Sequence, residues 1–259
     1  MIRTCMMVVV CASVGCGEAP PADLLPTRGV PTVDRAPARP SGGIATPGGG
    51  MSEEMAHHFD AATRARDALV RGDLTAAQAA MSEVAVPDSA PDVPALHAPY
   101  AESMRRAAAT VSEARDLDAA TAAFGNAAVA CGACHLGVGA EVAMSDVAPP
   151  AGDELAAQMR RHLWALDRMW EGLVVPDAAR FSAGAAGLAE VPLGPLVGRA
   201  GTVDEHLRAL WDRAHDLGAD ASLTTDDATR ARVYGELLRT CADCHRRSGV
   251  GGPLAPIPL

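Results

Sequence analysis

Apolar positions recur in steps of three and four, the period of a helix face, from about residue 51 onward. Met55, Phe59, Ala62, Arg66 and Leu69 trace the first such face. Gly72 stops that helix, and Asp73 can cap a second one running to about Val86. The Pro-rich run 87–99 reads as a loop. A third helix follows from about Tyr100 to Arg115. A fourth runs from about Asp118 through His135 and ends before Gly137 or Gly139. The pattern then returns at 153–174, at 178–190 after Asp177, at 203–217 between a Thr202 cap and a Gly218 stop, and at about 225–247. Gly184 and Gly187 make 178–190 the least helical of these segments. No stretch alternates with a period of two, so strands are not expected.

The second set of four helices copies the first. Cys131-Gly132-Ala133-Cys134-His135 is echoed by Cys241-Ala242-Asp243-Cys244-His245 at an offset of 110. An aromatic-Gly pair precedes each motif: Phe124-Gly125 and Tyr234-Gly235. At the front, Met55-Ala56-His57-His58 is echoed by Met159-Arg160-Arg161-His162 at an offset of 104. The change of offset places about six extra residues in the second copy, in the Gly/Pro-rich stretch around 191–201. Each copy has the size of one antiparallel four-helix bundle. The predicted fold is therefore all-α, with two tandem four-helix bundles over 51–143 and 153–250, a linker at 144–152 and a tail at 251–259.

The first fifty residues follow another rule. Residues 1–15 have one Arg, a short apolar run and then small residues, the layout of a secretory signal peptide. The apolar run is too short to span a bilayer, and no later segment is expected to reach transmembrane length. Ser13-Val14-Gly15-Cys16 resembles the lipobox of bacterial lipoproteins, although Ser stands where Leu is usual. That resemblance implies cleavage before Cys16 and acylation of its thiol. Residues 17–50 are rich in Pro and Gly and read as a flexible tether. Together they imply an exported protein on the periplasmic side, held at a membrane by its lipid.

Composition narrows the chemistry. The formal net charge is −10, and all 22 basic residues are Arg. That balance excludes a nucleic-acid partner, which needs a basic footprint. Aromatic residues make up only 3% of the chain. Either small aliphatic side chains fill the cores, or something other than an amino acid does. The seven Cys sort by position. Cys5 and Cys11 lie in the signal peptide, Cys16 is the lipid site, and four form the two C-x-x-C-H motifs, so no disulfide framework is expected.

C-x-x-C-H is the attachment motif of c-type haem. On a helix, positions i, i+3 and i+4 share a face. Cys131 and Cys134, or Cys241 and Cys244, can therefore form thioethers to a porphyrin edge while His135 or His245 reaches the iron. A zinc ribbon would need the two Cys pairs close together, and here they lie in separate repeats. The expected cofactors are two covalently bound haem c groups.

With the motif at the end of the last helix of a four-helix unit, the layout resembles cytochrome c-prime and its six-coordinate relatives. The resemblance covers nearly all of 51–252, taken as two copies shorter than is usual for the family. It implies a distal position filled from the first helix of each copy. There His58 and His162 are the candidate distal ligands, with Met55 and Met159 as the alternative. Chemistry favours the His pair, and the helical wheel mildly favours the Met pair. His97, His206 and His215 read as solvated or edge residues. Trp164, Trp170 and Trp211 occur only in the second copy and read as packing that bundle or the contact between the two.

The function implied is a dihaem electron carrier. The alternative is a five-coordinate protein that binds a diatomic gas such as NO or CO. No catalytic constellation is present in the sequence, and a dihaem peroxidase layout does not match. The expected partners are redox proteins carrying a basic patch, since complementary charge steers encounter.

Overall fold

The structure, a computed structural model, describes residues 49–86, 94–152, 155–190 and 204–249. The expected signal peptide, Cys16, the expected tether apart from Gly49 and Gly50, the expected insertion around 191–201 and the tail lie outside the described residues. Eight helices and no strand occur among the described residues: α1 (Gly49–Arg71), α2 (Leu74–Ala85), α3 (Ala98–Ser112), α4 (Leu117–Val138), α5 (Leu155–Val174), α6 (Ala178–Glu190), α7 (Glu205–Ser222) and α8 (Asp227–Ser248). They form two four-helix bundles, α1–α4 and α5–α8, each ending in a C-x-x-C-H helix.

Short polar side chains set the helix starts. Asp73, Asp116 and Asp226 accept backbone N–H bonds from Ala76, Ala119 and Thr229, and Asp177 accepts one from Arg180. Asp204 caps α7, accepting from His206 and Leu207, so this helix does not start at the expected Thr202 cap. Nor does Gly218 stop it. That glycine is buried inside α7 against the α6 backbone at Ala185 and Ala189, and the helix runs on to Ser222. Both motif helices end in a left-handed glycine four residues after the motif histidine: Gly139 at φ 66° and Gly249 at φ 68°. The cap N–H of each bonds back to the last turn, which places His135 and His245 at a sharply ended helix terminus.

Within each bundle consecutive helices pack side by side, but the first and last helices scarcely meet. Each bundle is open along that seam, and the seams face each other. α4 packs along α8, α1 packs on α8, and α5 packs on α4. The repeated glycines make this possible. A Cβ on Gly125 would collide with the backbone of Ala231, and one on Gly235 would lie 2.7 Å from the Thr121 carbonyl oxygen. The aromatic-Gly pairs therefore mark a reciprocal α4–α8 crossing where the two backbones approach closely. The core is mostly Ala, Leu and Val and runs unbroken from one bundle to the other. Three of the few aromatics, Phe124, Trp170 and Tyr234, are buried at the seam.

Polar contacts also cross the seam. The buried Arg66 of α1 pairs with its neighbour Asp67 at 2.7 Å and with Asp167 of α5 at 2.5 Å. The linker lies along α5: Trp164 Nε1 donates to the Val147 carbonyl at 2.7 Å, and Arg168 donates to the Ser145 carbonyl at 2.6 Å. One expectation needs correction. α4 is long and apolar enough to cross a membrane by length and composition. It packs against α3, α8 and α5.

Candidate haem-attachment sites

At the end of α4, Cys131, Cys134 and His135 fall on one helix face. All four motif cysteines are free thiols, half-buried in their bundles. Burial pushes the thiols of Cys131 and Cys241 up to about 12, and those of Cys134 and Cys244 are also raised by burial. A reactive redox dithiol has the opposite shift, toward an easily formed thiolate. These thiols are protonated at neutral pH.

The His135 ring is held by the other repeat. Its Nδ1–H donates to the Val174 carbonyl at the C-terminus of α5, at 2.8 Å. A carbonyl can only accept, so the proton is on Nδ1 and the lone pair is on Nε2. Metal-bound histidines are commonly oriented by such a bond. Val174 is the last residue of α5, where helix carbonyls lack intrahelical donors, so the bond also satisfies an end group.

Cys131 and His135 line a cavity of about 40 Å³ that is partly open to solvent. The other walls are Met55, His58, Phe59 and Ala62 from α1, Met81 and Val84 from α2, Met104 and Ala108 from α3, Phe124 and Ala127 from α4, and Trp170 and Val174 from α5. Both distal candidates of the first repeat, Met55 and His58, therefore share one cavity with the motif. His58 is buried, and its Nε2 lies 3.2 Å from a Glu54 carboxylate oxygen. The lining is otherwise apolar, apart from the indole Nε1–H of Trp170, which is buried with no hydrogen-bond partner among the described residues. The Cys131 thiol, the His135 imidazole, apolar walls and an unmatched donor are chemistry suited to a flat apolar group with polar substituents. A haem attached at Cys131 and Cys134 meets that description.

The second site keeps the motif and changes the walls. His162 lies beside Trp211, with ring centroids 5.1 Å apart, and edge-on to His215 at 5.5 Å. Trp211 and His215 stack at 6.1 Å. Burial, with smaller repulsions from His215, Arg161 and His245, pushes His162 down to about 4. It is neutral at physiological pH and is close enough to His245 to sense its charge. His162 Nε2, His215 Nε2, Trp211 Nε1 and His245 Nδ1 are all buried without a partner among the described residues. Such a cluster is rare in a satisfied core and fits a group that the protein is built to receive. Met159 is half-buried on the same helix as His162. The His245 imidazole is also pushed down, by burial and then by Arg71 at the end of α1.

Each motif end thus rests on the first helix of the other repeat. Gly132 lies against the Leu173 carbonyl and Pro176 of the α5 end, while Gly72 at the α1 end lies against Arg246 and the Ala242 carbonyl. The sequence reading missed this exchange, and with it Trp170 and Val174 as walls of the first site. It also placed His215 at an edge, whereas the ring packs in the second site with Nδ1 3.3 Å from the Ala189 carbonyl. The signal for Trp170 was present: at the 104 offset its counterpart is Arg66, a break in the repeat.

Compared with family profiles, curated proteins and solved structures, the chain finds no significant match. What it shows by its own residues is two helix-bundle repeats, all-helical among the described residues, each carrying a C-x-x-C-H spacing suggestive of haem c attachment.

Proposed function

We propose that the protein is a dihaem c-type cytochrome that carries single electrons. The observation that carries this reading is the first cavity, which brings Cys131 and His135 together with Met55 and His58 in one apolar enclosure. Haem would supply one-electron chemistry at iron, with a potential set by axial ligands, burial and hydrogen bonding. Cys131, Cys134, Cys241 and Cys244 would hold the two groups through thioethers. His135 and His245 would be proximal ligands, and the Val174 carbonyl would orient the His135 ring. His58 and His162, or Met55 and Met159, would fill the distal positions. The apolar helix walls would exclude water, which limits reorganisation when charge moves. The signal-like leader and Cys16 support a periplasmic, lipid-anchored setting, and the acidic surface supports redox partners with a basic patch.

One observation favours the gas-binding alternative at the first site. The His58 Nε2 faces Glu54, as it would if the iron there kept an open position. The spectrum of the reduced holoprotein separates the two readings. A carrier gives sharp low-spin α and β bands that carbon monoxide does not shift, whereas a high-spin spectrum with ready carbon monoxide binding overturns it. His58→Ala and His162→Ala then assign the ligands: each is expected to turn its own site high-spin, and unchanged spectra would assign Met55 and Met159.

A further inference from the structure

We propose that Trp170 is the bridge through which electrons pass between the two attachment sites, an inference that rests on the dihaem reading above. Trp170 belongs to the second repeat but lines the cavity of the first. Its ring stacks on Phe124, with centroids 5.1 Å apart and planes 23° from parallel, and on Tyr234 at 6.5 Å and 26°. Phe124 and Tyr234 are counterparts in the repeat, each seven residues before the first Cys of its motif. Phe124 lines the first cavity together with Cys131, so Tyr234 holds the same station beside the second motif. The Tyr234 phenol is close enough to Cys241 for the two charges to be felt. Phe124, Trp170 and Tyr234 are all buried, so the stack is continuous and dry.

Tunnelling falls steeply across gaps and is carried better by packed matter than by voids. The Phe124–Trp170–Tyr234 stack is the packed aromatic connection between the stations of the two motifs. The symmetry-related position offers no second one, because Arg66 stands there, tied into an ion pair with Asp67 and Asp167. The step would balance: one electron would pass from a reduced haem held at one motif to an oxidised haem held at the other. Trp170 undergoes no net oxidation, no proton moves, and no further reactant is consumed.

The test uses the full holoprotein, half-reduced, with haem-methyl resonances followed by exchange NMR. Wild type is expected to show exchange between the two one-electron forms at a rate independent of protein concentration. Trp170→Met, which fills most of the space without a ring, is expected to slow that rate several-fold, while Trp170→Phe retains most of it. In both variants the methyl shifts of the first site move and those of the second stay. An unchanged rate in Trp170→Met with both haems attached overturns the bridge, as does a first site whose shifts ignore both substitutions. Failure of the dihaem reading would look different: wild type would carry no thioether-bound haem at all.

Discussion

At the first site the motif helix faces a cavity walled by methionines, Met55, Met81 and Met104. At the second, the positions of Met81 and Met104 are taken by Ala185 and Ala214, and α7 contributes Trp211 and His215 where α3 has Ala101 and Arg105. Flexible thioethers leave an adaptable space, whereas stacked rings of Trp211, His215 and His162 define a fixed and more polar one. The proximal side differs as well. His135 has the Val174 carbonyl as an acceptor, while His245 has no Nδ1 partner among the described residues and lies near Arg71. The repeat has kept the C-x-x-C-H motif and let the walls around it diverge.

The largest effect that would sharpen this contrast is at Trp170. Trp170→Ala removes a fully packed ring from the seam and is expected to cost about 3–5 kcal/mol in denaturant unfolding. The disturbance should appear in the first site's spectrum, whereas Trp211→Ala should disturb only the second. Equal spectral effects of the two substitutions would break the distinction between the sites. The glycine crossing belongs to both repeats and should not discriminate. Gly125→Ala and Gly235→Ala each force a Cβ against the backbone of the other repeat, and each is expected to cost about 1–3 kcal/mol. A neutral result for either, measured by thermal unfolding, would mean that α4 and α8 do not cross there.

The smallest effect concerns acid. The Asp204 carboxyl is held below the usual carboxylate range by Arg247 and by the α7 amides, and that of Asp226 by Thr229 at the start of α8. A carboxyl depressed in the folded state contributes stability that is complete above its unfolded value, about 3.9 for Asp. That contribution is lost as pH falls through the lower folded value. The starts of α7 and α8 should therefore gain amide exchange as pH drops below about 4, and Asp204→Asn should remove that pH dependence at α7. Exchange at α7 that ignores pH in this range would contradict the assignment.

Much of this was legible along the chain because it depends on local rules. Helix period, Asp caps and the C-x-x-C-H spacing are properties of short stretches, and they located the bundles and the motif residues. What was hidden depends on which helix faces which. Nothing local says that Gly125 and Gly235 serve a crossing between repeats and not a turn, or that the first site borrows Trp170 and Val174 from α5. Gly218 misled for the same reason: its partner, the α6 backbone, is distant in sequence, so a packing glycine resembled a stop. His215 looked peripheral because only the tertiary fold brings it against His162 and Trp211.

The most direct test of the account is the intact mass and pyridine haemochrome of the mature protein produced with a c-type maturation system. Two thioether-bound haems per chain are predicted, falling to one in Cys131→Ala/Cys134→Ala and, separately, in Cys241→Ala/Cys244→Ala. A wild-type chain that keeps all four motif thiols available to alkylation after denaturation, with no haem mass added, would contradict it.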